Sequence, residues 1–303
     1  MSLPITLSLE SGAARVTRAD VSFNVRERTG NAATRAATED APIMLSLESS
    51  AKAASVALTR DGRLLAQYFH DSGLTHSRTL LKMAEDILRN NDLAVADIAR
   101  VAVARGPGSF TGIRIGVASA KGFAWGADIP VRAVSTLRAA ASVFADLGSG
   151  VVIFPTESPR PANDGVICPN AIHRGTNDVV ICPAMDARRG EVYNALFEIG
   201  IGGITRLVPD RALTADSLAE EAARSGKTYL LTGDGAHVCV TAFDARGVKY
   251  RLAPALLRLQ CAYGVALAAE NAPDLTVAEL TPNYLRASQA ERLFGPPGEG
   301  GGA

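Results

Sequence analysis

The sequence predicts a chain of two α/β halves, and three observations carry that expectation. From residue 43 onward, apolar runs of strand length alternate with stretches of helical apolar spacing, separated by turn signals. Each half opens with strands and then alternates strand with helix. The length of 303 residues suits two domains of roughly 150 residues each.

Residues 1–42 stand apart. Arg, Ala, Thr and Asn dominate, neither helical nor strand periodicity is evident, and five arginines balance five acids. A disordered extension is expected, or an over-long start with Met44 as the true first residue. The acids argue against a transit peptide, and no apolar run supplies a secretory signal. Leu7-Ser8-Leu9-Glu10-Ser11 repeats Leu45-Ser46-Leu47-Glu48-Ser49, but so short a match makes no repeat architecture.

The first domain is expected over 43–147. Residues 43–47, 54–58 and 64–69 read as three consecutive antiparallel strands, with Asp61-Gly62 as a hairpin signal because glycine accepts positive φ. Thr75 suits the cap of a helix to residue 90, whose Leu80, Leu81, Ala84, Ile87 and Leu88 share helical spacing. Met83 widens that band beyond one ordinary core face. The helix therefore either meets a partner on its second side or is deeply buried. A buried strand over 99–104 leads into the glycine-rich turn 106–112 and a helix to residue 126. A strand over 131–134, the cap Ser135 and a helix through 145 follow.

Residues 148–177, broken by Pro155, Pro159, Pro161 and Asn163, read as a loop insertion. The second domain is expected over 178–293. It has strands at 179–182, 192–199, 204–208 and 228–231, helices at 215–224 and 260–270, and a loop at Gly233-Asp234-Gly235. Residues 294–303, rich in Gly and Pro, are expected to form a flexible tail.

Composition narrows the function. Lys and Arg total 31 and Asp and Glu total 31, so nucleic acid is not held by bulk charge. Hydrophobic residues make up 47%, enough for a substantial core, and no apolar run is long enough to span a bilayer. The four cysteines (Cys168, Cys182, Cys239, Cys261) lack C-x-x-C spacing, which favours a cytoplasmic chain over a disulfide scaffold. His70, His76, His173 and His237 include no pair three or four apart, so no helical di-histidine metal motif is present. No catalytic and no metal-ligating residues are assigned.

Three local features bear on chemistry. The turn Gly106-Pro107-Gly108-Ser109-Phe110-Thr111-Gly112 joins a strand to a helix, where free amides and the helix dipole suit an anion. It is neither a Walker A nor a dinucleotide fingerprint, and a tight packing turn is the competing reading. Gly112, Gly116 and Ser119 then share one helix face. Each mid-helix glycine costs about 1 kcal/mol against alanine, which close approach of another helix would offset; Arg114 and Lys121 read as solvated. Glu48-Ser49-Ser50 brings a carboxylate and two hydroxyls to the end of the first strand, as either a hydrogen-bonded turn or a phosphate-and-metal corner. Asp186-Ala187-Arg188-Arg189-Gly190 reads as a charged hairpin turn, in which Asp186 and an arginine could pair bidentately.

These segments resemble the TsaB family, of the YeaZ type, in the glycoprotease-like superfamily. The resemblance is carried by Leu45-Ser46-Leu47-Glu48-Ser49-Ser50, His76-Ser77, Arg105 through Gly116, Ala120-Lys121-Gly122, Val134-Ser135-Thr136-Leu137, Met185 through Tyr193, and Pro282-Asn283-Tyr284-Leu285-Arg286, and it spans 43–293. It implies an actin-like (ASKHA, ribonuclease H-like) duplicated two-domain fold. It also implies a cytoplasmic, non-catalytic scaffold in the tRNA threonylcarbamoyladenosine complex.

The implied partners are the catalytic subunit TsaD and the ATPase TsaE, with a possible homodimer. Contact with tRNA would come indirectly through the complex, and no membrane is involved. The implied partner face uses His76, Leu80, Met83, Ile87, Gly112, Gly116, Ser119 and Ala120. On that reading Gly116→Leu blocks assembly without unfolding the chain. A nucleotide or anion site would draw on Glu48, Ser49, Ser50, Gly106, Gly108, Ser109, Gly233 and Gly235. No cofactor of its own is implied, and ATP or ADP would sit at the subunit interface. Two departures matter: Glu48-Ser49-Ser50 stands where the family usually has Asp-Thr-Ser, and 148–177 is longer than the pattern. The competing functions are a glycoprotease-like peptidase acting on the partner and an actin-fold small-molecule kinase.

Overall fold

Strands that are apolar at successive positions must be covered on both faces, and the two five-stranded sheets of this chain are covered that way. The computed structural model describes residues 6–10, 13–17, 41–147, 179–200 and 203–286. Among the first forty residues, β1 (Thr6–Glu10) and β2 (Ala13–Thr17) pair antiparallel, with Leu7 opposite Val16 and Leu9 opposite Ala14. This short hairpin is the part of the lead that the structure describes. The rest of the lead, all of 148–177 and the tail 294–303 lie outside the described residues.

Residues 41–303 form a second compact unit. Its first sheet contains β3 (Ile43–Glu48), β4 (Ala54–Arg60), β5 (Arg63–His70), β6 (Ile98–Ala104) and β7 (Val131–Val134), in the order β5-β4-β3-β6-β7. β3, β4 and β5 are antiparallel, and β6 and β7 run parallel to β3. Asp61 and Gly62 both take positive φ at the β4–β5 hairpin. Parallel pairs need crossovers: α1 (His76–Arg89) precedes β6, α2 (Phe110–Ala127) joins β6 to β7, and α3 (Thr136–Leu147) follows.

The second sheet repeats the plan. β8 (Val179–Asp186), β9 (Glu191–Gly200), β10 (Gly203–Thr214), β11 (Thr228–Thr232) and β12 (Tyr250–Leu252) lie in the order β10-β9-β8-β11-β12. In both sheets the spatial order is third, second, first, fourth and fifth, with the first three strands antiparallel and the last two parallel to the first. The fold is thus a duplicated, actin-like pair of ribonuclease H-like lobes. α4 (Ala215–Ser225), α5 (Ala236–Ala245), the single turn α6 (Ala255–Arg258) and α7 (Ala262–Ala269) complete it.

Strand alternation sets the layers. Leu45 and Leu47 pack with Leu80, Ala84 and Ile87 of α1 and with Ile113 and Val117 of α2. Met44, on the opposite face, packs with Val265, Ala266 and Ala269 of α7. α3 turns Leu137, Ala141 and Phe144 toward Ile181, Met185 and Phe197 of the second sheet. Val180, Cys182 and Ala184 pack with Leu218 of α4 and with Cys239 and Phe243 of α5. α3 and α7 therefore form a shared layer between the sheets, so close that a Cβ on Gly264 would strike the Ala139 carbonyl.

The later part of the chain returns to the first lobe. α7 covers the first sheet, Arg132 Nε pairs with Asp274 at 2.6 Å, Leu275 bridges to Val131, and Leu280 is fully buried in the first core. These contacts join residues more than a hundred positions apart, which local patterning does not register.

Candidate functional site

The end of β3 meets the start of α2 at the junction of the lobes. Glu48 is fully buried, and its Oε1 accepts hydrogen bonds from the Ser50 amide at 2.6 Å and the Ser50 hydroxyl at 2.5 Å. Burial pushes its carboxyl from an ordinary 4.5 up to about 7, against the lowering effect of the Ser50 hydrogen bonds. Its Oε2 has no hydrogen-bond partner among the described residues. Asp234, which faces Glu48 electrostatically, is also raised by burial and accepts from Gln260 Nε2 at 3.1 Å.

The turn after Glu48 explains the glycines of α2. The Ser49 hydroxyl donates to the Gly112 carbonyl at 2.9 Å. A Cβ on Gly112 would collide with the Ser49 carbonyl, and one on Gly116 would sit 2.5 Å from Ser49 Oγ. The close approach inferred from small residues is real, but it is made by this turn and not by a second helix. Gly106, at φ 120°, packs against Asn283, and Gly108 against Ser50. Gly233 packs against Ala184, and Gly235 against Met185. The Gly106, Gly108, Gly233 and Gly235 positions are therefore filled by the protein's own backbone. Glu48, Ser49 and Ser50 are buried beside them, and Ser50, Gly108 and Ser109 border the cleft between the lobes. Of the residues expected there, Ser109 is the exposed one; its hydroxyl caps α2 by accepting from the Gly112 amide at 3.3 Å.

A cleft of about 700 Å³ remains between the lobes. Ser50, Met185 and Asp234 line it, with Ser109–Thr111 on one wall and Asp186–Arg188 on the other. Asp186 Oδ1 accepts from the Arg188 backbone amide at 2.7 Å, which replaces the bidentate side-chain pair expected from the sequence. Arg188 and Arg189 both hold positive φ, 65° and 58°. Arg114 is not simply solvated: its guanidinium lies 3.8 Å from the Phe110 ring centroid, and Nε donates to the Tyr284 hydroxyl at 2.9 Å.

The expected partner-face residues divide by burial. Leu80, Ile87, Gly112, Gly116, Ser119 and Ala120 are buried inside the chain, so they shape the core beneath α1 and α2 and do not present a surface. His76 is half-buried, and its Nε2 donates to the Ala51 carbonyl at 2.8 Å, tying α1 to the turn beside the cleft. Met83 is also half-buried. The outer surface of the pair instead carries Leu81, 50% exposed, and Ala118, Gly122 and Trp125, the last 82% exposed. Among the described residues, none lies within 4 Å of where a Cβ on Gly122 would stand. Sequence reasoning missed this stripe because it favoured the glycines nearest the turn; the same helical spacing, rotated outward, contains it.

Among the described residues, no group of three or more His, Cys, Asp or Glu is arranged to hold a metal ion, and no helix is long and apolar enough to cross a membrane. The buried Cys182 and Cys239 thiols are raised by burial, Cys239 to about 12.

The two repeated lobes define a protein of the actin-like, duplicated-lobe class. A family model described as TsaD, tRNA N6-adenosine threonylcarbamoyltransferase, matches residues 71–151. The tRNA threonylcarbamoyladenosine biosynthesis protein TsaB of Bacillus subtilis is 28% identical over 249 residues, which are 82% of this chain and 96% of that protein. The Escherichia coli protein of the same name is 43% identical over 94 residues, 31% of this chain and 40% of its own length. In fold, YeaZ from Pseudomonas aeruginosa superposes with a TM-score of 0.60 at 23% identity, covering 80% of this chain and all of that one. Over nearly the whole length of the Bacillus subtilis protein, the chain is thus similar to TsaB, and in fold it is similar to YeaZ.

Proposed function

We propose that this protein is a non-catalytic subunit of the machinery that forms threonylcarbamoyladenosine in tRNA, and that it docks the catalytic TsaD-type subunit on the outer face of α1 and α2. The observation that carries this reading is Gly122. It stands mid-helix, costs about 1 kcal/mol against alanine, and among the described residues none lies within 4 Å of the Cβ position above it. Close approach by another backbone would use that space, beside the exposed Trp125 and Leu81.

The sealed Glu48 supports a non-catalytic role over the kinase reading. A carboxylate that must hold a phosphate-bound cation needs access, and here it is turned onto Ser50 with no exposed surface. The peptidase reading loses support from the buried thiols of Cys182 and Cys239, whose raised pKa keeps them protonated and poor as nucleophiles. TsaE, a second copy and a nucleotide at the subunit boundary fit the same assembly. Soluble residence in the cytoplasm suits it as well.

Size-exclusion with purified TsaD tests the docking face. The parent chain co-elutes with TsaD, and Gly122→Leu elutes alone while melting no lower than the parent. Co-elution of the variant with TsaD contradicts the assigned face.

A further inference from the structure

The segment 281–286 crosses from one lobe to the other along the wall of the cleft, and its contacts differ at the two ends. In the first lobe, Leu280 is fully buried just before it. The Asn283 amide donates to the Arg105 carbonyl at 2.7 Å, and the Asn283 carbonyl fills the space a Cβ on Gly106 would need. The Tyr284 ring lies 4.8 Å from that of Phe110, and its hydroxyl accepts from Arg114. In the second lobe, Arg286 reaches the β8–β9 turn, where it pairs with Glu191, donates to the Ala187 carbonyl at 3.4 Å and stands 5.9 Å from the Tyr193 ring centroid.

We infer that 281–286 is a latch, fixed in the first lobe through Asn283 and Tyr284 and closed on the second through the Arg286–Glu191 pair, and that it holds the two walls of the cleft together. The first-lobe end is a backbone hydrogen bond, a stacked ring and a buried leucine, which resist local opening. The second-lobe end rests on polar contacts of one side chain, partly shielded at 19% exposure for Arg286 and 30% for Glu191. A planar guanidinium beside a carboxylate, a carbonyl and a ring is a geometry that a lysine cannot reproduce. Tyr284, Leu285 and Arg286 all line the cleft, so release of Arg286 exposes its walls without disturbing either core.

The test is native-state hydrogen exchange on the full chain with Arg286→Ala, Glu191→Gln and the double variant, with thermal melts alongside. The latch predicts about fivefold faster exchange in each single variant, confined to peptides covering 108–111 and 187–193. Exchange in 44–47 and 181–182 stays at the parent rate. The double variant opens no more than Arg286→Ala alone, because that change already removes the shared pair. Arg286→Lys falls between parent and Arg286→Ala. Unchanged exchange at the cleft, additive effects in the double variant, or uniform acceleration across both cores with a lowered melt would each overturn the latch, the last by showing a purely structural strap. None of these readouts requires the partner subunit, so failure here is distinct from failure of the proposed docking role.

Discussion

At the scale of single residues, Glu48 makes the sharpest solution prediction. Its carboxyl is raised by burial to about 7 in the folded chain, against 4.5 ordinarily. Its protonated form therefore favours folding: the contribution is fully present below about pH 4.5 and is lost as pH rises to about 7. That shift corresponds to about 3 kcal/mol. Urea denaturation of the parent and Glu48→Gln, at pH 4.5 and pH 8, checks it. The stability of the variant relative to the parent should rise by that amount toward pH 8. Parallel profiles would show that the carboxyl is not strained by its burial.

The glycines of α2 separate in the same experiment. Gly112→Ala and Gly116→Leu drive atoms into the Ser49 turn and are expected to cost about 1–3 kcal/mol. Gly122→Ala, in open space, is expected to gain about 1 kcal/mol. A Gly116→Leu chain as stable as the parent would mean that the turn moves freely. It would also restore the expectation that this substitution acts on assembly alone.

At the scale of elements, much of the first lobe is legible from its sequence because its patterns are local. The strand at 131–134 has the expected bounds, and β3, β4 and β5 differ from expectation by only a residue or two at their ends. The capping role of Thr75 is positional only, since its side chain makes no cap hydrogen bond. α5 escapes because Val238 and Val240 are β-branched and its apolar residues leave no polar stripe to set a helical period. β12, three residues long, exists because the edge of β11 is available to pair.

The site was less legible than the elements. Composition identifies 106–112 as special but does not say that the amides and hollows would be filled by Ser49, Ser50 and Asn283. Those contacts depend on which distant segments meet. Helical spacing correctly makes α1 and α2 amphipathic, yet assigning one face to a partner requires knowing which face the sheet takes. Once Leu45 and Leu47 claim Leu80, Ile87 and Ile113, the outward stripe through Gly122 is the one left.

At the scale of the whole molecule, duplication and the crossing chain end matter most. α3 brings the first lobe onto the second sheet, and α7 brings the end of the chain back onto the first. The lobes therefore share a middle layer and are expected to unfold together. Urea transitions followed by Trp125 fluorescence, on the first lobe, and by far-ultraviolet circular dichroism should coincide. A separate early transition in either probe would show that the lobes are energetically independent. Formal neutrality, with 31 charges of each sign, also implies that the isolated chain contributes little to gripping tRNA.

The most direct test of the central claim is reconstitution of tRNA modification from purified components. TsaD, TsaE, the threonylcarbamoyl-adenylate synthase and tRNA are combined with this protein, without it, or with Gly122→Leu in its place, and threonylcarbamoyladenosine is measured by mass spectrometry. Formation of the modified nucleoside with the parent chain, and its loss both on omission and with the variant, is the predicted result. Undiminished modification when the chain is left out would contradict its role as a required subunit.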